Sequence, residues 1–133
     1  MIIFTDGGCS GNGQLDLSKR KMVAVATDDK GNVLIEKYQE GGSNNIAELI
    51  AVKEALMWCS THNVKQVEIK TDSTNTLAWV YGVKVGKHVN DRDTVLNLKN
   101  AINALMMSIR MEMEWISRDK NLAGHYIENK YKL

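Results

Sequence analysis

Three carboxylates, Asp6, Glu48 and Asp72, fall where the pattern of the chain changes. Asp6 follows the apolar run Ile2-Ile3-Phe4 and precedes Gly7-Gly8, which reads as a buried strand and then a sharp bend. Glu48 lies early in a helical pattern, and Asp72 closes the alternating stretch that ends Ile69-Lys70-Thr71. Each has a plain structural reading. An Asp before glycines can start a turn, and a first-turn Glu complements the helix dipole for roughly a few tenths of a kcal/mol. Together the three imply more, because converging carboxylates cannot all stay ionised unless a cation compensates them. Hard divalent ions prefer such oxygen ligands, so magnesium or manganese is implied. Two ions about 3.5–4 Å apart can clamp a phosphodiester, one activating water and the other stabilising the leaving oxygen.

The elements that must position these groups can be read in order. A strand is expected over residues 1–5 and a polar, glycine-rich loop over 7–18. Strands follow over 22–27 and 33–39, and the short turn between them implies an antiparallel meander. Ser43, Asn44 and Asn45 offer helix caps, and Ile46, Leu49, Ile50, Ala51, Leu56 and Met57 recur at helical spacing, predicting a helix over 46–60. A fourth strand is expected over 64–71, a short helix over 74–81 and a loop over 82–90 carrying Lys84, Lys87 and His88. A helix over 91–108, a strand over 110–116, a turn over 117–120 and a last helix over 121–131 complete the chain. The passage from strand to helix to strand implies a parallel crossover, so the expected fold is α/β: a five-stranded mixed sheet, a three-strand antiparallel meander plus parallel strands, flanked by helices.

The totals fit one soluble domain spanning residues 1–133, with 44% hydrophobic and 25% charged residues. A net charge of +1 supplies no global basic field, so any nucleic-acid binding must come from local patches. Cys9 and Cys59 have no zinc spacing and form no disulfide framework, so they read as free thiols. No leader pattern opens the chain and no run approaches membrane length, so a cytoplasmic location without membrane contact is expected. The methionines read as core filler rather than as ligands.

Thr5-Asp6-Gly7-Gly8-Cys9-Ser10-Gly11-Asn12, then Ser43-Asn44-Asn45-Ile46-Ala47-Glu48-Leu49, then Thr71-Asp72-Ser73 resemble the type 1 ribonuclease H family. Trp115-Ile116-Ser117-Arg118-Asp119-Lys120-Asn121 is similar to that family's last strand and the turn after it. The resemblance covers essentially the whole chain in the right order. It implies a ribonuclease H-like fold and a metal-dependent endonuclease that hydrolyses the RNA strand of RNA–DNA hybrids by a two-metal-ion mechanism, leaving 5′-phosphates. Two Mg2+ or Mn2+ ions, a hybrid as partner and a monomeric state are implied with it. Asp6, Glu48 and Asp72 match three of the family's four metal-site carboxylates. Backbone amides around Gly8, Cys9 and Gly11, with Asn12, Asn44 and Asn45, match positions that line the hybrid's minor groove. Ser43 and Asn12 match positions near the DNA-strand phosphate, and Thr74 stands where relatives often have Gln.

The sequence departs from the family at three places. Aligning Arg118 and Asn121 puts Gly124 and His125 where the family has an Ala-Asp pair, so the expected fourth ligand is His125, giving an Asp-Glu-Asp-His set. An imidazole suits manganese better than magnesium. A surface position for His125 is the competing reading, with Glu128 and Asp119 as weaker substitutes. The stretch 117–121 carries no His of the kind many relatives hold before the last helix, and the loop over 82–90 is short beside the basic protrusion of some relatives. Two rival readings follow: a catalytically inactive nucleic-acid-binding module, and a resolvase or exonuclease on the same fold.

Overall fold

The Asp-Gly-Gly segment does not turn the chain. In the computed structural model, which describes residues 1–10 and 20–131, strand β1 (Ile2–Ser10) runs straight through it. Asp6 sits opposite Val25, Gly7 opposite Ala24 and Gly8 opposite Val23 on the antiparallel strand β2 (Lys21–Asp28). The partner strand extends past Asp6, and ladder pairing overrides the turn preference of Asp and Gly. The expected loop therefore shrinks at its start, and residues 11–18 of it lie outside the described residues.

Strand β3 (Val33–Glu40) pairs antiparallel with β2 and completes the meander. Helix α1 (Asn44–Thr61) then crosses to β4 (Gln66–Thr71), which pairs parallel with β1. Helices α2 (Thr74–Val80) and α3 (Arg92–Leu105) lead to β5 (Arg110–Trp115), parallel to β4. A single 3-10 turn over Arg118–Lys120 precedes α4 (Leu122–Tyr131). The sheet order is β3-β2-β1-β4-β5, the expected mixed five-stranded sheet.

The two faces of the sheet are filled differently. Successive residues of a strand point to opposite faces. Ile3 of β1, with Met22, Ala24 and Ala26 of β2, joins the large core that contains Leu49, Val52 and Leu56 of α1. Helix α1 lies between the sheet and α3, so most of its circumference is buried. Met57, expected on the apolar stripe, instead faces solvent at 44% exposure. On the other face Val23 and Val25 pack against Ala123 and Ile127 of α4, with Phe4 beside them. The far end of α4 is clasped to β3. Glu36 accepts hydrogen bonds from the Tyr126 hydroxyl (2.8 Å), the Lys130 ammonium (2.7 Å) and the Tyr131 hydroxyl. The Tyr131 ring also stacks on Tyr38.

Helix α1 begins two residues earlier than its apolar pattern suggests. The Ser43 side chain accepts a hydrogen bond from the Ile46 amide at 3.2 Å and so caps the helix at Ser43. Glu48 is thereby the fifth helical residue, the first turn holds no acid, and the dipole explanation of Glu48 falls away. The segment 82–90 is pinned rather than free. The Arg92 guanidinium donates to the Val85 carbonyl (3.2 Å), the Lys99 ammonium donates to the Val83 carbonyl (3.1 Å), and Val85 is buried. Lys84, Lys87 and His88 remain exposed.

Candidate metal centre and substrate cleft

Parallel pairing puts two of the carboxylates side by side. Phe4 of β1 is in register with Lys70 of β4. Two residues further along the chain from each come Asp6, still within β1, and Asp72, just past the end of β4. Asp72 lies in the bend between β4 and α2, and that bend is fixed on both sides. The Ser73 amide donates to Thr71 Oγ1 (3.0 Å), and Ser73 Oγ caps α2 by accepting from the Thr76 amide (3.1 Å). The Trp115 indole N–H donates to the Asp72 carbonyl (3.1 Å) from β5.

Glu48 arrives from α1, and a glycine sets how close it comes. A Cβ built on Gly7 would stand 2.3 Å from the Ala47 carbonyl carbon and 2.4 Å from the Glu48 amide nitrogen. Any larger residue at position 7 would push α1 off the strand. This close approach, rather than turn chemistry, is why glycine follows Asp6.

Among the described residues, Asp6, Glu48 and Asp72 form one cluster whose ligand atoms all lie within 4.8 Å of one another. Asp6 and Glu48 are buried and Asp72 is half-buried. Burial pushes the Glu48 carboxyl well above the usual carboxylate range, and the hydrogen bond to Asp6 and the charges of Asp6 and Asp72 push it further. Burial also raises Asp6, and the charge of Asp72 adds to it. The bond from Glu48, the Gly7 amide and the charge of Arg118 oppose that rise. Without a cation, burial and the two neighbouring carboxylates therefore oppose charge on Glu48. Glu48 Oε2 is buried with no hydrogen-bond partner. A buried acceptor left bare beside two other carboxylates fits a hard divalent cation, which takes oxygen ligands.

These groups floor a cleft of about 330 Å3 lined also by Gly8, Cys9, Asn44, Asn45, Ser73 and Arg118. A second hollow of about 610 Å3 shares Asn44 and Asn45 and adds Arg20, Ser43, Trp79 and His88. Of the expected substrate-binding residues, Gly8, Cys9, Asn44 and Asn45 line the cleft, and Ser43 lines the hollow next to it. Thr74 is exposed at the start of α2 and lines neither. Gly11 and Asn12 lie outside the described residues.

His125 is not part of the carboxylate cluster. It lies in the first half of α4, next to Gly124, and a Cβ built on Gly124 would stand 3.1 Å from Asp6 Oδ2. Glu128 is exposed and bonds the Arg118 guanidinium (3.1 Å), and Asp119 is exposed in the 3-10 turn. Three site residues were not assigned site roles from sequence. Arg118 is the cation whose charge acts on Asp6 and Asp72. Trp115 braces the Asp72 carbonyl, and Asn121, fully buried, bonds the Asp72 carboxylate. An isolated Arg, Trp or Asn near a turn carries no such signal, because the contact is made only across distant segments.

Cys9 and Cys59 are free thiols. No described helix is long and apolar enough to cross a membrane.

The family model described as RNase H matches residues 1–130. No curated protein matches the chain. Among solved structures, RNase H1 from the halophilic archaeon Halobacterium salinarum NRC-1 is 18% identical, covering 99% of this chain and 98% of its own, with a TM-score of 0.72. LC11-RNase H1, isolated from compost by a metagenomic approach, is 28% identical over 95% of this chain and 90% of its own, with a TM-score of 0.67. The same protein in complex with an RNA/DNA hybrid matches at 29% identity over 90% of this chain and 87% of its own, with a TM-score of 0.63. With the mixed sheet, its flanking helices and the acidic cluster carried by its central strands and α1, a match over almost the whole length places this chain in the RNase H family.

Proposed function

We propose that this chain is a metal-dependent endonuclease that hydrolyses the RNA strand of RNA–DNA hybrids and leaves 5′-phosphate ends. The observation that carries the reading is the convergence of Asp6, Glu48 and Asp72 around a bare, buried Glu48 oxygen. A module that only bound nucleic acid would gain nothing from three carboxylates that repel phosphate. Asp6, Glu48 and Asp72 would hold Mg2+ or Mn2+, two ions per site, which supply an activated water and compensate charge on the leaving oxygen. The chain's own contribution is placement and charge. Residues from β1, α1 and the β4–α2 bend hold the three carboxylates close together, and Arg118 adds a positive group at the rim.

The substrate reading comes from the cleft and from kinship. A relative in the same family has been solved with an RNA/DNA hybrid bound. Here Gly8, Cys9, Asn44 and Asn45 line the cleft beside the carboxylates. Such neutral donors and acceptors suit the minor groove, where the 2′-hydroxyl distinguishes RNA from DNA. Binding is then set by phosphates and groove shape, so it is sequence-independent and weakens with salt. His125 is the fourth partner in this reading. Its support is position, one residue beyond Gly124, which faces Asp6.

Gly124-His125, in place of a further carboxylate, is also the one feature that favours an inactive binding module. A panel of RNA–DNA hybrid, duplex DNA, duplex RNA and branched DNA, each tested with wild type and Asp72→Asn, separates the readings. Cutting of the RNA strand of the hybrid, lost in Asp72→Asn, is expected. Preferred cutting of branched DNA points to a resolvase. Binding of hybrid without cutting in any metal points to the binding module.

A further inference from the structure

We infer that Asn121 is a positioning residue of the metal centre, a single buried amide that ties β1, the β4–α2 bend and α4 together and sets the direction of the Asp72 carboxylate. The inference rests on the proposed metal-dependent function and names a residue outside the ligand set.

Asn121 is completely buried, and both ends of its side chain are used. Its Nδ2 donates to the Thr5 carbonyl at 2.9 Å and to Asp72 Oδ2 at 3.4 Å. Its Oδ1 accepts from the amides of Ala123 at 3.1 Å and Gly124 at 3.4 Å, capping α4. One planar group thus meets the residue before Asp6, the Asp72 carboxylate, and the helix end that brings Gly124 up to Asp6. A primary amide has the right inventory for this, an acceptor at one end and two donors at the other. A carboxylate would have no donor for the Thr5 carbonyl, and a hydroxyl would be too short to reach both sides.

The two braces on Asp72 divide the work. Trp115 holds its main-chain carbonyl, whereas Asn121 is the one side chain among the described residues that donates to its carboxylate. Hydrogen bonds of this outer kind orient a ligand before the ion arrives, and removing one typically weakens metal affinity or activity about 10–100-fold.

The test separates orientation from simple support of the fold. Serine is among the best helix caps, so Asn121→Ser keeps an acceptor for α4 but removes the arm toward Thr5 and Asp72. Tyr131→Phe, which removes one bond in the distant Glu36 clasp, serves as the purely structural control. Mn2+ is titrated calorimetrically into the intact wild type and both variants, with thermal melts alongside. A stabilising osmolyte keeps every sample folded. Asn121→Ser should bind Mn2+ at least about tenfold more weakly than wild type. Tyr131→Phe should melt earlier and bind Mn2+ like wild type. Equal Mn2+ affinity in wild type and Asn121→Ser overturns the inference and leaves the proposed function standing. A wild type that binds no Mn2+ removes the metal centre itself, and the inference with it.

Discussion

Gly7 and Glu48 are in backbone contact: a Cβ on Gly7 would lie 2.4 Å from the Glu48 amide nitrogen. The strand that carries Asp6 and the helix that carries Glu48 therefore meet at a residue without a side chain. Gly7→Ala should separate them. Overpacking between rigid backbones falls at the upper end of the usual range of about 1–3 kcal/mol. Denaturant unfolding of the variant should show that loss, together with a cleavage rate far below wild type. An Ala variant as stable and active as wild type would mean that α1 can shift freely.

Glu48→Gln should stabilise the metal-free protein while abolishing metal-dependent cleavage. Burial and two neighbouring carboxylates oppose charge on Glu48, and the amide removes that opposition while keeping the shape. A gain of about 0.5–2 kcal/mol is expected, the usual size of a single stabilising substitution. Asp6→Asn should behave alike. Chemical denaturation in chelator reads the stability, and a labelled hybrid reads the activity. Loss of stability in both variants would mean that the carboxylates brace the fold rather than burden it.

The sign of the pH dependence follows from the same pair. Glu48 and Asp6 titrate above their ordinary range in the folded protein. Between that range and the raised values, the folded state holds more protons than the unfolded chain. This pair's contribution to stability is thus fully present at or below the ordinary carboxylate range and is lost as pH rises through the raised values. Glu36, which burial pushes up but Lys130, Tyr131 and Tyr126 bring down on balance, has the opposite slope in acid. The difference between wild type and Glu48→Gln isolates the site. In chelator, the advantage of Glu48→Gln should widen from about pH 4 to about pH 8, and saturating Mg2+ should close the gap from the wild-type side. A constant difference would contradict the raised Glu48 carboxyl.

His125→Ala should impair cleavage more in Mn2+ than in Mg2+, because imidazole is the better partner for manganese. The comparison is made at saturating metal and again near half-saturation. Equal rates for His125→Ala and wild type in both metals would leave the three carboxylates as the whole protein ligand set.

Much of this was legible in the chain because apolar period and acid placement are local. The alternating stretch before Asp72, the cap at Ser43 and the apolar pattern of α1 each signal their element within a few residues. The errors came from long-range packing. Asp6-Gly7-Gly8 has turn composition, yet the ladder to β2 and the backbone of α1 hold it extended. Met57 fits the apolar pattern, yet it faces neither the sheet nor α3. Asn121 gave no site signal, since its partners Thr5 and Asp72 are 116 and 49 residues away in sequence. The register that aligns Asp6 with Asp72 is likewise a property of the assembled sheet.

The most direct test of the central claim is cleavage of an RNA–DNA hybrid labelled on each strand, in Mg2+, in Mn2+ and in chelator, by wild type and Asp72→Asn. Wild type should cut only the RNA strand, leave 5′-phosphates, require the metal, and lose this activity in Asp72→Asn. Intact RNA in both metals, with the hybrid still bound, would contradict the account.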